Sequence, residues 1–144
     1  MSTAAATQAQ IAVLGAGSWG TALAIQWARA GNSVRLWGRE AAQLRLMSQE
    51  RVNRHYLPNA PFPESLQIAP TQAAALEGVD DVLVAVPSHA FRDLLTQLKP
   101  VLTPSQRLCW ATKGFEISSG RLPHEVARQV LGSGQLTAVL SGPT

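Results

Sequence analysis

The feature that most constrains this chain is Gly15-Ala16-Gly17-Ser18-Trp19-Gly20, set between a short apolar run and a long stretch of helical character. Residues 11–14 carry no polar side chain, as in a strand buried on both faces. Residues 18–30 hold Trp19, Ala22, Leu23, Ile25 and Trp27 with few charges, and they stop at Gly31-Asn32, a helix C-terminal signal. In such a strand–turn–helix unit each glycine has its own reason. Gly15 permits the tight turn, Gly17 lets the backbone approach an anion, and Gly20 lets the helix pack closely on the sheet. Amides at the helix start, around Ser18 and Trp19, then meet that anion with the helix dipole behind them. The plainer alternative is a turn that needs its glycines for geometry alone. A further strand at residues 34–37 completes a unit in register, which favours a dinucleotide pyrophosphate.

The alternation continues along the chain. Gly38 closes the second strand, and residues 40–51 form a helix with Leu44 and Met47 on one face. Residues 53–63, with three prolines and two asparagines, predict a loop without a regular ladder. A short strand follows at 67–69, then a short helix at 71–77 capped by Thr71. Residues 82–86 predict a central strand that Pro87 ends, and Phe91, Leu94, Leu95 and Leu98 recur at helical spacing. A fifth strand is expected at 108–111, a helix at 123–131 between Pro123 and Gly132, and a sixth strand at 136–140. Such alternation demands right-handed crossovers. The expected fold is α/β, a single domain with a doubly wound, mostly parallel, Rossmann-like sheet and a ligand crevice where the strand order reverses. Residues 1–10, without a basic side chain, read as a flexible tail rather than a secretion signal, and residues 11–144 as the dinucleotide-binding domain.

Composition excludes several classes. An apolar fraction of 46% with 15% charged residues argues against disorder, and no stretch has the length and apolarity of a membrane span. The net charge of +3 comes from dispersed basic residues with no basic stripe or reading helix, so no nucleic-acid partner is expected. Cys109 has no partner for an internal disulfide, which fits a reducing, cytoplasmic setting, and its apolar neighbours predict a buried structural thiol. His55, His89 and His124 are scattered, so no metal is expected. Ser88-His89 lacks a nucleophile elbow, and His89 reads as a loop or helix-cap residue. The Tyr-x-x-x-Lys pair of short-chain reductases is missing, since Ala60 stands four residues after Tyr56.

The end of the second strand bears on cofactor choice. NAD-specific sites usually carry an acid there for the ribose hydroxyl, whereas this chain has Trp37-Gly38-Arg39 followed by Glu40. An arginine pairs with a 2′-phosphate and Gly38 leaves room for it, so NADP is favoured over NAD. The alternative is that Arg39 is a solvated cation and Glu40 serves the ribose.

Four blocks taken together are specific: residues 15–23, Val86-Pro87-Ser88-His89, Trp110-Ala111-Thr112-Lys113-Gly114 and Ser141-Gly142-Pro143-Thr144. In kind and order they resemble the NAD(P)-dependent glycerol-3-phosphate dehydrogenases of bacterial type, over residues 11–144 and over the cofactor-binding domain only. The resemblance implies interconversion of sn-glycerol 3-phosphate and dihydroxyacetone phosphate with NAD(P)H, feeding phospholipid synthesis. It implies cofactor contacts from Ser18, Trp19 and Arg39 beside Gly15, Gly17 and Gly20, and a nicotinamide wall shaped by Pro87. Lys113 would lie between nicotinamide and substrate, with Gly142 and Thr144 on the substrate. The residues themselves support Lys113, which follows a predicted strand end where the crevice opens and where an ammonium stabilises a phosphate or a developing alkoxide. A surface lysine is the alternative. In that family the proton-accepting lysine lies in a second, helical domain, and neither Lys99 nor Lys113 occupies its motif. No catalytic residue is therefore expected within this chain, which reads as a fragment lacking that domain. The small-molecule substrate is the expected partner, with no membrane contact, and the sequence leaves room for a homo-oligomer. Two other readings stand beside this one: a nucleotide-sensing module without catalysis, and the N-domain of another two-domain NAD(P) dehydrogenase.

Overall fold

The computed structural model describes residues 8–140. Expectations about the first seven residues of the tail and about residues 141–144, including Gly142 and Thr144, lie outside the described residues. The elements run β1 Gln10–Leu14, α1 Ser18–Arg29, β2 Ser33–Trp37, α2 Ala41–Glu50, β3 Leu66–Ile68 and α3 Gln72–Leu76. They continue as β4 Asp81–Val84, α4 Ser88–Leu98, β5 Arg107–Trp110, α5 Pro123–Leu131 and β6 Thr137–Val139. All strand pairs are parallel and the sheet order is β3-β2-β1-β4-β5-β6. The order reverses between β1 and β4, the switch point at which a doubly wound sheet opens a crevice.

The two-residue period of the central strands divides the core. Ala12 and Leu14 of β1, with Val82 and Val84 of β4, face a cluster built from Phe91, Leu95 and Leu98 of α4 and Val126 of α5. Ile11, Val13 and Leu83 face the other way, onto Ala24, Ile25 and Ala28 of α1 and Leu44 and Met47 of α2. Both faces of β1 and β4 are thus covered, which is why these strands read as unbroken apolar runs. Trp110 of β5 meets Phe91 edge to face, ring centroids 5.6 Å apart. Among the described residues no helix is long and apolar enough to cross a membrane, and no cluster of three or more metal-ligating side chains forms.

Two local expectations change. Helix α4 begins at Ser88, with Pro87 as its N-cap, rather than at Phe91. Its apolar spacing marks only the buried face, so the polar first turn left no periodic signal. Cys109 is half-buried rather than buried, because α1 and α2 pack over β1, β2 and β3 and not over the same face of β5. Desolvation still pushes its thiol pKa up, against a nucleophilic role. As expected, the region 53–63 forms no regular strand, and it is held in place by specific contacts. Arg51, in the left-handed region at φ 59°, donates to the Pro63 and Leu66 carbonyls at 2.9 and 2.6 Å, and Asn53 bridges Leu57. Thr71 caps α3 as expected, its Oγ1 accepting from Ala74 N–H at 3.0 Å.

Candidate cofactor site

The β1 end of the turn into α1 is fixed from both neighbouring strands. Gly15 N–H donates to the Trp37 carbonyl at 2.7 Å, and Ala85 N–H donates to the Leu14 carbonyl at 2.8 Å. Gly15 has φ 123°, and a Cβ there would stand 2.3 Å from the Ala85 carbonyl oxygen, so both backbone and packing require glycine. A Cβ on Gly20 would lie 1.9 Å from the Gly15 oxygen, so α1 sits directly against the turn.

Gly17 is different. Its φ of −78° suits any residue, and an added Cβ would meet nothing within 4 Å. Neither strain nor internal packing asks for glycine here; the space lies free in front of the helix. Gly17 is also the N-cap of α1, with no side-chain cap hydrogen bond and no acidic residue in the first turn. The leading N–H groups are left for an external anion, with the helix dipole behind them.

In front of this turn lies a cleft of about 450 Å³, within the range of small-ligand sites. Gly15, Ala16 and Gly17 form its floor, with Trp37, Gly38, Arg39, Glu40 and Gln43 from the end of β2 and α2. Ala85, Val86 and Pro87 follow β4, His89, Asp93 and Gln97 come from α4, and Tyr56 comes from the loop after α2. The cradle fits a dinucleotide: an apolar stretch from Ala85 to Pro87, polar groups from α2 and α4, an uncapped helix start, and a cation just after β2.

The predicted residues divide among these positions. Gly15, Gly17, Arg39 and Pro87 line the cleft. Ser18 and Trp19, the latter 49% exposed, occupy the first turn of α1, and Gly20 is buried beneath it. Arg39 and Glu40 both face the cleft, so both candidates for the ribose end are within reach of it. Lys113 is exposed beyond β5 and does not line the cleft. His89, read from the sequence as a loop or helix-cap residue, stands inside the first turn of α4 and lines the cleft. His89, Asp93 and Gln97 share one face of α4 at four-residue spacing; the pattern was visible, but a polar stripe of that kind ordinarily faces solvent. Tyr56 and Gln43 left no such signal.

The segment carrying Lys113 is anchored twice. Thr112 Oγ1 donates to the Val86 carbonyl at 2.7 Å, tying the ends of β5 and β4 together. Three residues beyond Lys113, Glu116 accepts a two-pronged pair from Arg92 of α4 at 2.8 and 3.0 Å. The same guanidinium donates to Gln129 of α5 at 2.7 Å. The Arg92 hydrogen bonds, joined by one from Ser119, hold the Glu116 carboxyl down at about 2.

A parallel sheet of this order, with a glycine turn and an uncapped helix start at its switch point, defines a dinucleotide-binding domain. Residues 10–144 match the family described as NAD-dependent glycerol-3-phosphate dehydrogenase N-terminus, and the chain belongs to that family. It is 53% identical over 136 residues to the glycerol-3-phosphate dehydrogenase [NAD(P)+] of Serratia marcescens, covering 94% of this chain and 40% of that protein. The crystal structure of glycerol-3-phosphate dehydrogenase from Coxiella burnetii superposes with a TM-score of 0.88 at 50% identity, over 94% of this chain and 41% of that one. A ketopantoate reductase from Ralstonia eutropha, at 20% identity and a TM-score of 0.67, shares the fold. The chain spans about 40% of the length of the curated relatives it matches. The family is NAD(P)-dependent.

Proposed function

We propose that this chain is the NAD(P)H-holding part of a glycerol-3-phosphate dehydrogenase, the whole enzyme interconverting sn-glycerol 3-phosphate and dihydroxyacetone phosphate and supplying phospholipid synthesis. The observation that carries the reading is the free space at Gly17, in front of a helix start that no side chain caps. In this reading the pyrophosphate is met by the amides around Gly17, Ser18 and Trp19, while Gly15 and Gly20 shape the turn. Arg39 pairs with a 2′-phosphate, so NADP is preferred to NAD; Glu40 is the group that would serve an unphosphorylated ribose. Pro87 forms part of the nicotinamide wall.

The bound nicotinamide supplies or accepts the hydride. Lys113 then meets the substrate, its ammonium stabilising a phosphate or the charge that passes through the substrate oxygen, with Gly142 and Thr144 also on the substrate. We assign no proton acceptor to residues 1–144. A cytoplasmic setting accords with the lone, unpaired Cys109.

The test is titration of the purified chain with NADH and NADPH, followed by tryptophan quenching, alongside an assay of glycerol 3-phosphate oxidation. Binding without turnover is expected. Failure to bind either nucleotide would remove the cofactor role, and turnover at the rate of an ordinary dehydrogenase would mean that the proton acceptor lies within this chain.

A further inference from the structure

Thr21 and Asn53 are polar, have 0% exposure, and touch each other beside the glycine turn. Asn53 belongs to the loop after α2, and pyrophosphate binding alone gives no reason for it. A buried amide is costly unless its hydrogen-bonding groups are satisfied. Those of Asn53 are: its Nδ2 donates to the Ala16 carbonyl and to Thr21 Oγ1, each at 3.0 Å. Its Oδ1 accepts from the Tyr56 backbone N–H at 3.2 Å and from Gln43 Nε2 at 3.4 Å.

We infer that Asn53 is a positioning residue for the cofactor: it clamps the Ala16–Gly17 peptide so that the Gly17 N–H faces the cleft, and it ties that peptide to the wall carrying Tyr56. The inference rests on the dinucleotide reading of the cleft. A trans peptide is planar, so its carbonyl and its N–H point in opposite directions. Asn53 draws the Ala16 oxygen toward the protein interior, which turns the Gly17 N–H outward. The space beside Gly17 is open, since a Cβ there would meet nothing within 4 Å. Ala16 is backed from β2 as well, since a Cβ on Gly38 would come within 2.9 Å of the Ala16 side chain. Released from the clamp, the peptide is free to rotate its carbonyl toward the anion, which repels it. Tyr56 and Gln43 both line the cleft, so one amide side chain sets the glycine turn and this wall at a fixed spacing.

The fold carries its own control. Gln106 is another buried amide, donating to the Leu76 and Val79 carbonyls at 2.8 and 3.2 Å, next to β5 at its amino end, away from the cleft. The experiment measures the Kd for NADH and NADPH, well below the unfolding temperature, for wild type, Asn53→Ala, Asn53→Asp, Gln106→Ala and Gly17→Val. Thermal stability is measured in parallel. Both Asn53 variants are expected to lose about tenfold in affinity for both nucleotides, whereas Gln106→Ala melts earlier with its Kd unchanged. Asn53 variants that melt earlier but bind within twofold of wild type would overturn the inference.

A second measurement needs no variant. In the wild-type chain the Asn53 side-chain amide protons should be protected from solvent exchange before NADH is added and stay so afterwards. Protection that arises only with NADH would overturn the clamp. Should wild type bind neither nucleotide, or Gly17→Val bind as wild type does, the dinucleotide reading itself fails; wild-type affinity in both Asn53 variants, with Gly17→Val defective, sinks the clamp alone.

Discussion

At the scale of single residues, the three glycines of the turn separate folding from binding. Gly17→Val adds a branched side chain at an ordinary φ where a Cβ meets nothing within 4 Å, so the helical circular dichroism should be that of wild type, with at most the small loss of stability expected of Val at an N-cap. Nucleotide binding should be lost, because that space is where the pyrophosphate approaches; an unaltered titration would show the turn to be structural only. Gly15→Ala should do the reverse and cost stability first. Its positive φ alone is worth about 1–3 kcal/mol of strain in a residue with a Cβ, before the contact with the Ala85 oxygen is added. Arg39→Ala tests selectivity. A charge-assisted contact to a 2′-phosphate is worth about 1.5–3 kcal/mol, so NADPH should weaken roughly tenfold or more and NADH little. Equal weakening of the two, or none, would favour Arg39 as a solvated cation and shift the ribose contact to Glu40.

At the scale of elements, Arg92 and Glu116 fasten the stretch after β5, which bears Lys113, onto α4. The Glu116 carboxyl titrates at about 2 when paired, against 4.5 when free. Its contribution is therefore complete above pH 4.5 and disappears as the pH falls toward 2. At neutral pH Glu116→Gln should melt below wild type, and the gap between their melting temperatures should close from pH 4.5 downward. A gap independent of pH would mean that the pair contributes nothing. This pair left no trace in the sequence, because its partners are 24 residues apart and obey no local period. The strands and helices were legible for the opposite reason: their apolar residues recur every two or every three to four positions, and a covered sheet enforces that pattern. An element that opens on polar residues, as α4 does at Ser88-His89, carries no apolar period to mark its start. The clasp of Asn53 on Ala16 and Thr21 was hidden in the same way, by separations of 37 and 32 residues. The glycine turn, the Trp37-Gly38-Arg39 stretch and Pro87 announced the site, since each is a short contiguous motif at a strand end.

At the scale of the whole molecule, the cleft belongs to neither half of the sheet. Its floor comes from the β1–α1 turn, one wall from β2 and α2, and the other from β4 and α4. The sequence supplied this architecture through the alternation of elements and the glycine turn at the first of them, but not the depth of the cleft or the exposure of Lys113. Those depend on how α4 and the stretch after β5 settle against one another. The position of β1 also fixes a schedule. It pairs with β2 across a short crossover, but its other edge waits for β4, and Ile11 meets Asp81 only 70 residues later in the chain. At a synthesis rate of about 5–20 residues per second, that edge stays open for on the order of 4–14 s on a ribosome. Throughout that interval the most buried strand of the finished sheet has one bare side, and β3, which joins β2 on the far edge, is completed at Ile68 only near its end.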